Sequence, residues 1–410
     1  MTRLSDPVAI SGAGCVLPSG LGVEALWQAA CAGRSAIGSL RAKHFHSRRV
    51  VAFGQVDEAL HQRCLQELAP NLRRYCPPAV AWGVSAVRQA LAEAGLDPQQ
   101  DQLRYGLYCS QGGYTHPSLD AYAELVHECR GPLGLDLCRL TQRVLHERAL
   151  DPFLVLKSLS NGLLGIVSLA LQLQAECNAY MQGVAGNQAA LREACAALNS
   201  YRIDVAVVVG AGSELDALAL SALVQAEVIS ANGSQEFRPF DQQGTGGIAG
   251  EGAVALVLRR RADVPEGAHS CLVGLSAHAE LEHLPLPEQA VDLLLCGGSA
   301  KVQQDRQLSA QLAKVPASLI SSAQPINGIL SGAPSLVELM LARSAMQAQC
   351  VPPLAGLRQP VDPGLPFVVG QSRAAPLRHC AVISQDDNGF SACYQLEYHQ
   401  PKGASAPLCG

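Results

Sequence analysis

The segment from Asn178 to Cys195, NAYMQGVAGNQAALREAC, has the outline of a nucleophile's seat without the nucleophile. A short apolar run, Ala179, Tyr180 and Met181, passes through the small residues Gly183, Val184, Ala185 and Gly186 into a helical pattern from Asn187 onward. A strand, a tight elbow and a helix start lift one side chain above a sheet. There, the N–H groups of the first helical turn stabilise an anion or depress a thiol pKa. A side chain so placed could do covalent catalysis. The residue at the tip, however, is Gly183, flanked by Gln182 and Val184. The nearest thiols, Cys177 and Cys195, fall before the strand and deep in the helix, and neither is expected to reach the tip.

Other candidate sites are weaker. Gly12-x-Gly14 follows a short apolar strand pattern, but a dinucleotide turn needs a third glycine at fixed spacing and a helix that opens at once, and here Pro18 interrupts. The glycine-rich run from Gly244 to Gly252 carries no lysine and leads into a strand, Ala253 to Leu258, so it does not read as a phosphate cradle. Fifteen cysteines lie at irregular spacing with no Cys-x-x-Cys and no paired Cys/His motif. That is the usage of buried small hydrophobes in a reducing compartment, and no metal or other cofactor is expected. A net charge of -5 with no basic block gives no electrostatic footprint for nucleic acid. The N-terminus has no signal pattern and no apolar run reaches the about 18 residues that would cross a bilayer, so a soluble cytoplasmic protein without a membrane partner is expected.

The elements that must position the elbow are those of an α/β protein. Of the 410 residues 48% are hydrophobic and only 4% aromatic, a balance that suits helices packed closely on a sheet. Val205 to Val209 is apolar without alternation, as in a strand covered on both faces. Val80, Val84, Val87 and Leu91 recur at three and four, predicting a helix over 77–94, and further helices are predicted over Val23 to Cys31 and Asn161 to Gln174. Beyond Pro265 the pattern begins again. Cys271 to Ser276 takes the place of Val8 to Gly12, and Val291 to Gly298 that of Arg104 to Gly113. Ser318 to Ser322, with the helix Leu336 to Gln347, takes that of the elbow strand and its helix, and strands at His379 to Ser384 and Ala392 to Glu397 close the chain. Two similar halves are predicted, 1–262 and 263–410.

Several motifs now fall in order: Val16-Leu-Pro-Ser-Gly with Trp27 and Ala32-Gly-Arg-Ser-Ala-Ile37, Asp151-Pro-Phe-Leu with Asn161, Asp204 to Glu214, Arg238-Pro-Phe-Asp241 with Gly250-Glu-Gly-Ala253, and Asn327-Gly328 with Val351-Pro-Pro353. Their order and spacing resemble the β-ketoacyl synthase family over about residues 7 to 398. The resemblance implies a thiolase-like fold, two duplicated βαβαβαββ halves in a five-layer α-β-α-β-α sandwich, and an obligatory dimer. Active members of that family carry out decarboxylative Claisen condensation with a cysteine that holds the acyl chain, two histidines that stabilise the enolate and a nearby lysine. Carried onto this chain, the four positions are Gly183, Gly297, Ala323 and Ile329, so each functional side chain is replaced. Gly186 lies three residues past Gly183, the family's spacing after its cysteine, which favours Gly183 over Gln182 as the tip. In the loop from Ser384 to Phe390 the family's gating phenylalanine is also expected to be lost.

A kept scaffold with an emptied site resembles a chain length factor, the silent partner of a ketosynthase in type II polyketide and aryl-polyene systems. The resemblance implies a subunit that pairs with an active β-ketoacyl synthase, meets acyl carrier protein through that partner, and shapes the acyl tunnel. It places Tyr114, Thr115 and His116 where bulk would close the tunnel, unless they only cap a loop, and Phe153 and Leu154 at the turn toward the partner's cavity. It places Asn178, Ala179, Tyr180, Met181 and Gln182 in the strand that pairs across the dimer. Two further readings stand beside this one: a malonyl decarboxylase of its own, with Gln182 as a surrogate, and a homodimeric acyl-binding protein.

Overall fold

The computed structural model describes residues 2–39, 49–112, 120–181, 183–265, 267, 269–279, 284–287, 289–386 and 388–399. Its first half contributes the strands β1 (Thr2–Leu17), β2 (Tyr105–Gly112), β3 (Cys177–Met181), β4 (Val205–Gly212) and β5 (Gly252–Arg260). The second contributes β6 (His269–His278), β7 (Val291–Cys296), β8 (Ala317–Ser321), β9 (His379–Gln385) and β10 (Ser391–His399). Across the first half the order is β3-β2-β4-β5-β1, and across the second β8-β7-β9-β10-β6. Each half therefore sets its third, second, fourth, fifth and first strands side by side. The directions repeat as well: β2 is parallel to β3 and β4, and β7 to β8 and β9, while β4–β5 and β9–β10 are antiparallel. The halves join where β1 pairs antiparallel with β6. This is the duplicated architecture expected from the sequence.

Helices fill the layers. α1 (Val23–Cys31) has the predicted bounds, and α2 (Pro78–Glu93) starts with a proline in its first turn, where no N–H is missed. α3 (Gly162–Leu171) ends earlier than the apolar pattern does, because Gln172 turns into the left-handed region at φ 57°. α4 (Gly183–Asn199) follows the third strand of the first half, and α6 (Pro334–Ala348) the third strand of the second, with α5 (Val302–Leu312) between β7 and β8. α6 is buried without a break from Ser335 to Met346, as a helix inside a layered protein must be. It shares the main core with α4 and the inward faces of both sets of strands. α2 and α3 cover the opposite face of the first set, and Leu308 and Leu312 of α5 that of the second.

Gly12 and Gly14 acquire a packing role here. A Cβ on either would lie 2.1 Å from the Ala90 carbonyl oxygen or 2.2 Å from that of Ala86, so the pair is the groove into which α2 settles. β2 and β4 are buried along their whole lengths, as the unalternating Val205 to Val209 run required. Among the described residues no helix is long and apolar enough to cross a membrane.

Candidate functional site

β3 ends at Met181 and α4 begins at Gly183, so strand and helix follow one another as read, but the helix starts at Gly183 itself and not at Asn187. Gly183 has φ 43°, in the left-handed region where glycine rests without strain. A Cβ built on it would meet nothing nearer than the Ser331 carbonyl oxygen at 3.6 Å. The seat has room for a side chain and is supplied with none.

The elbow's supports are intact. A Cβ on Gly186 would sit 2.8 Å from Ser110 Oγ and 2.9 Å from the Met181 carbonyl, so only glycine lets the helix lie this close to the strand. The next residue, Asn187, is fully buried and fully used. Its Nδ2 donates to Ser110 Oγ at 2.7 Å and to the Gly332 carbonyl at 2.9 Å, while Oδ1 accepts the N–H groups of Ser335 at 3.0 Å and Leu336 at 3.4 Å. α4 thus satisfies the free donors at the start of α6. The Ser331-Gly332 turn is wedged against the ends of β2 and β4, with no space for a Cβ on Gly112 or Gly332.

Gly297, Ala323 and Ile329 line a single cavity of about 580 Å³, and Gly183 is not part of its lining. At Gly297 the place of a side chain is taken, since a Cβ there would come 2.0 Å from Gln324 Oε1. Ala323 is held by its backbone: its N–H meets both oxygens of Glu338 at 3.0 Å. The Ser322 hydroxyl and the Gln324 N–H donate to the same carboxyl at 2.6 Å and 3.2 Å. All these donors are neutral, and burial pushes Glu338 up to about 7. Ile329 donates its N–H to the Ile248 carbonyl at 2.8 Å and packs against the small apolar clusters around Phe53, Val228 and Ile248. Ser384, Gln385 and Asp386 close the wall, while Phe390 turns away into the main core.

The lining has a one-sided chemistry. Among the described residues around the cavity there is no lysine, arginine, histidine or cysteine, and there are three acids, Asp305, Glu338 and Asp386. Burial is the largest influence on each and raises it. Asp305 serves the structure, because it accepts the N–H groups of Phe240 at 2.6 Å and Ser299 at 2.8 Å and so secures the Arg238-Pro-Phe-Asp241 turn. Among the described residues such a lining offers an acyl group or an enolate no thiol, imidazole or cation.

The thiols do not compensate. Cys177 is the first residue of β3 rather than preceding it, which corrects the sequence reading, and its Sγ donates to the Leu173 carbonyl at 3.8 Å. Burial raises it, and pushes the fully buried Cys195 up to about 12, far from a reactive thiolate. Among the described residues no group of three or more His, Cys, Asp or Glu could hold a metal.

Asn178, Ala179, Tyr180 and Met181 lie together on β3 at the sheet edge, with Ala179 and Met181 exposed. Gln182 lies outside the described residues, as do Tyr114, Thr115 and His116. Phe153 is half-buried, its ring edge-on to Tyr75 at 4.7 Å, and the equally half-buried Leu154 opens a short helix, Leu154–Lys157. Sequence reasoning missed Gln324 and Glu338. The acid could have been noticed as a lone charge within the apolar run Leu336 to Leu341. Nothing in the sequence marked Gln324.

Comparisons with known proteins agree on one family. The β-ketoacyl synthase N-terminal domain matches residues 5–264. The tetracenomycin polyketide synthase ketoacyl synthase β subunit of Streptomyces glaucescens is 23% identical over 424 aligned residues, covering 96% of this chain and 98% of that protein. A solved β-ketoacyl synthase from Burkholderia phymatum superimposes with a TM-score of 0.79 at 17% identity, over 96% of this chain and all 100% of that one. The ishigamide ketosynthase/chain length factor gives 0.75 at 19% identity, over 97% and 99% of the two chains. At these identities the superpositions establish the thiolase-like fold.

Proposed function

The chain belongs to the β-ketoacyl synthase family, and on that premise we propose that it is the noncatalytic, chain-length-factor-like subunit of a ketosynthase heterodimer. One observation carries the reading. Gly297, Ala323 and Ile329, which the resemblance aligns with catalytic positions of the family, line one cavity with no cysteine, histidine, lysine or arginine among the described residues, while the elbow at Gly183 is held by the close packing of Gly186 and the bonds of Asn187. The similarity to a polyketide synthase β subunit over nearly the whole chain points the same way. An active β-ketoacyl synthase subunit would be the partner, seated on the edge of β3, and acyl carrier protein would be met through that partner. The division into halves is placed at 262/263, inside the turn Arg261–Asp263 that separates β5 from β6.

Tunnel shaping is the positive role this leaves. Phe153, anchored on Tyr75, and Leu154 beside it are retained as wall residues on the partner's side, with Tyr114, Thr115 and His116 as the length gate. The malonyl decarboxylase reading rests on Gln182, which lies outside the described residues; the cavity lined by Gly297, Ala323 and Ile329 offers a malonyl carboxylate no cation among the described residues. Co-expression with an intact synthase from the same genome tests the proposal. Stable one-to-one co-purification is expected, and a stable homodimer that turns over thioesters by itself would replace this reading with an enzymatic one.

A further inference from the structure

We propose that Tyr75 is a positioning residue for the acyl tunnel: by holding the Phe153 ring in one place it narrows the spread of product lengths. The inference rests on the subunit reading, in which Phe153 is a wall residue on the partner's side. From Arg130 to Gly162 no residue is buried, although the stretch includes two helices, Leu137–Leu145 and Leu154–Lys157. A stretch without a buried side chain has few contacts with which to fix its own rotamers. The backbone at Phe153 is nevertheless fixed locally. Its N–H donates to Asp151 Oδ1 at 2.8 Å, the Leu154 N–H donates to the Asp151 carbonyl at 3.0 Å, and Lys157 Nζ reaches the other carboxylate oxygen at 2.5 Å.

The ring is held from outside the stretch. Tyr75 stands edge-on to it, with centroids 4.7 Å apart and planes at 77°, the favoured arrangement of two aromatic quadrupoles. The Arg74 guanidinium lies 5.0 Å from the centre of the Tyr75 ring and 6.0 Å from that of Phe153, so one cation covers the pair. Tyr75 is itself well seated. It belongs to the turn between the short helix Pro70–Arg73 and α2, closed by its N–H on the Leu72 carbonyl at 3.0 Å and by the Cys76 N–H on the Arg73 carbonyl at 3.2 Å. Cys76 and Pro77 are buried, the two prolines Pro77 and Pro78 stiffen the entry to α2, and Tyr75 packs against the core beneath that helix. The Phe153 ring therefore takes its position from the core of the first half. A wall ring held in one place gives the tunnel one width, and a ring set free gives it several.

Product lengths read by mass spectrometry from the reconstituted heterodimer decide it. Tyr75→Ala and Tyr75→Leu should each raise the fraction of chains that miss the main length by about twofold or more, the worth of one weak ring pair. Tyr75→Phe, which keeps the edge-on ring, should retain the parent's distribution. Because Tyr75 acts through Phe153, the double variant Tyr75→Ala with Phe153→Ala should broaden the distribution no more than Phe153→Ala alone. Should Tyr75→Ala fail to fold, Tyr75→Leu, which keeps apolar bulk beneath α2, carries the test. A parent-like distribution in Phe153→Ala would remove Phe153 from the wall, and the proposal with it. Broadening in Phe153→Ala but in neither Tyr75→Ala nor Tyr75→Leu would overturn the proposal and leave the wall standing, as would additive broadening in the double variant or a Tyr75→Phe that behaves like Tyr75→Ala.

Discussion

The third strands of the two halves, β3 and β8, occupy the same place in a duplicated topology and sit at opposite ends of the strand path. β8 is not left open. Its Ile320 donates to the Pro366 carbonyl at 2.9 Å and accepts from the Val368 N–H at 3.0 Å, and Leu319, Ile320 and Ser321 are buried. β3 pairs, among the described residues, only with β2, and none of its five residues is buried. Among the described residues the chain covers one edge with a segment of its own and leaves the duplicate edge bare. An exposed strand edge is a template for pairing, and proteins that keep one without defences have something to put there. No lysine or proline guards β3. The difference favours β3 as the side where a second subunit belongs, and it is there that we propose the synthase sits.

Charging the bare edge should have the largest effect. Met181→Asp leaves the monomer fold intact because the side chain is exposed, but it would bury a carboxylate in the complex, costing about 4 kcal/mol and roughly a thousandfold in association. Pull-down and analytical ultracentrifugation read this directly. If Met181→Asp still co-purifies, the two edges differ for some other reason. Asn187→Ala removes the junction between the helices that follow β3 and β8, and should cost about 3 kcal/mol of stability in urea melts because it orphans several buried groups.

Those two helices also differ in charge. α6 buries Glu338, whereas α4 buries no acid. Glu338 rises from its ordinary 4.5 to about 7. The native state therefore holds that proton more tightly than the unfolded chain, its contribution is fully present below about pH 4.5, and it is lost as pH climbs toward 7. Glu338→Gln should remove a loss on the order of 3 kcal/mol over that interval. The difference between variant and parent melts isolates it from Glu214 and Glu251, which burial moves the same way. The smallest effect is expected at the covered edge. Phe367→Ala, which takes a half-buried ring from against Phe240, should cost about 2 kcal/mol of stability and leave association unchanged.

Much of this contrast was legible in the sequence, because strands and helices announce themselves by local pattern. The apolar run Val205 to Val209 and the spacing of Val80 to Leu91 each sit inside one element, and the structure places them as read, while the helix after the elbow begins at Gly183, four residues before the helical pattern read from Asn187. The cover on β8 was not legible: it is a pairing between Ile320 and Phe367, segments with no shared pattern. Gln324 was hidden for a similar reason. Its meaning depends on the space Gly297 leaves empty, and that juxtaposition exists only once β7 and the Gln324–Asn327 turn are brought together.

A subunit that keeps the scaffold and has surrendered the chemistry should carry no acyl group of its own. Intact-protein mass spectrometry of the purified heterodimer, after incubation with an acyl-carrier-protein thioester, tests this most directly. The partner should gain one acyl mass and this chain none, and Gly183→Cys should produce no condensing activity in it, since Gly297 and Ile329 leave an enolate unsupported. A stoichiometric acyl adduct on the unsubstituted chain, at Cys177, Cys195 or anywhere else, would contradict the claim.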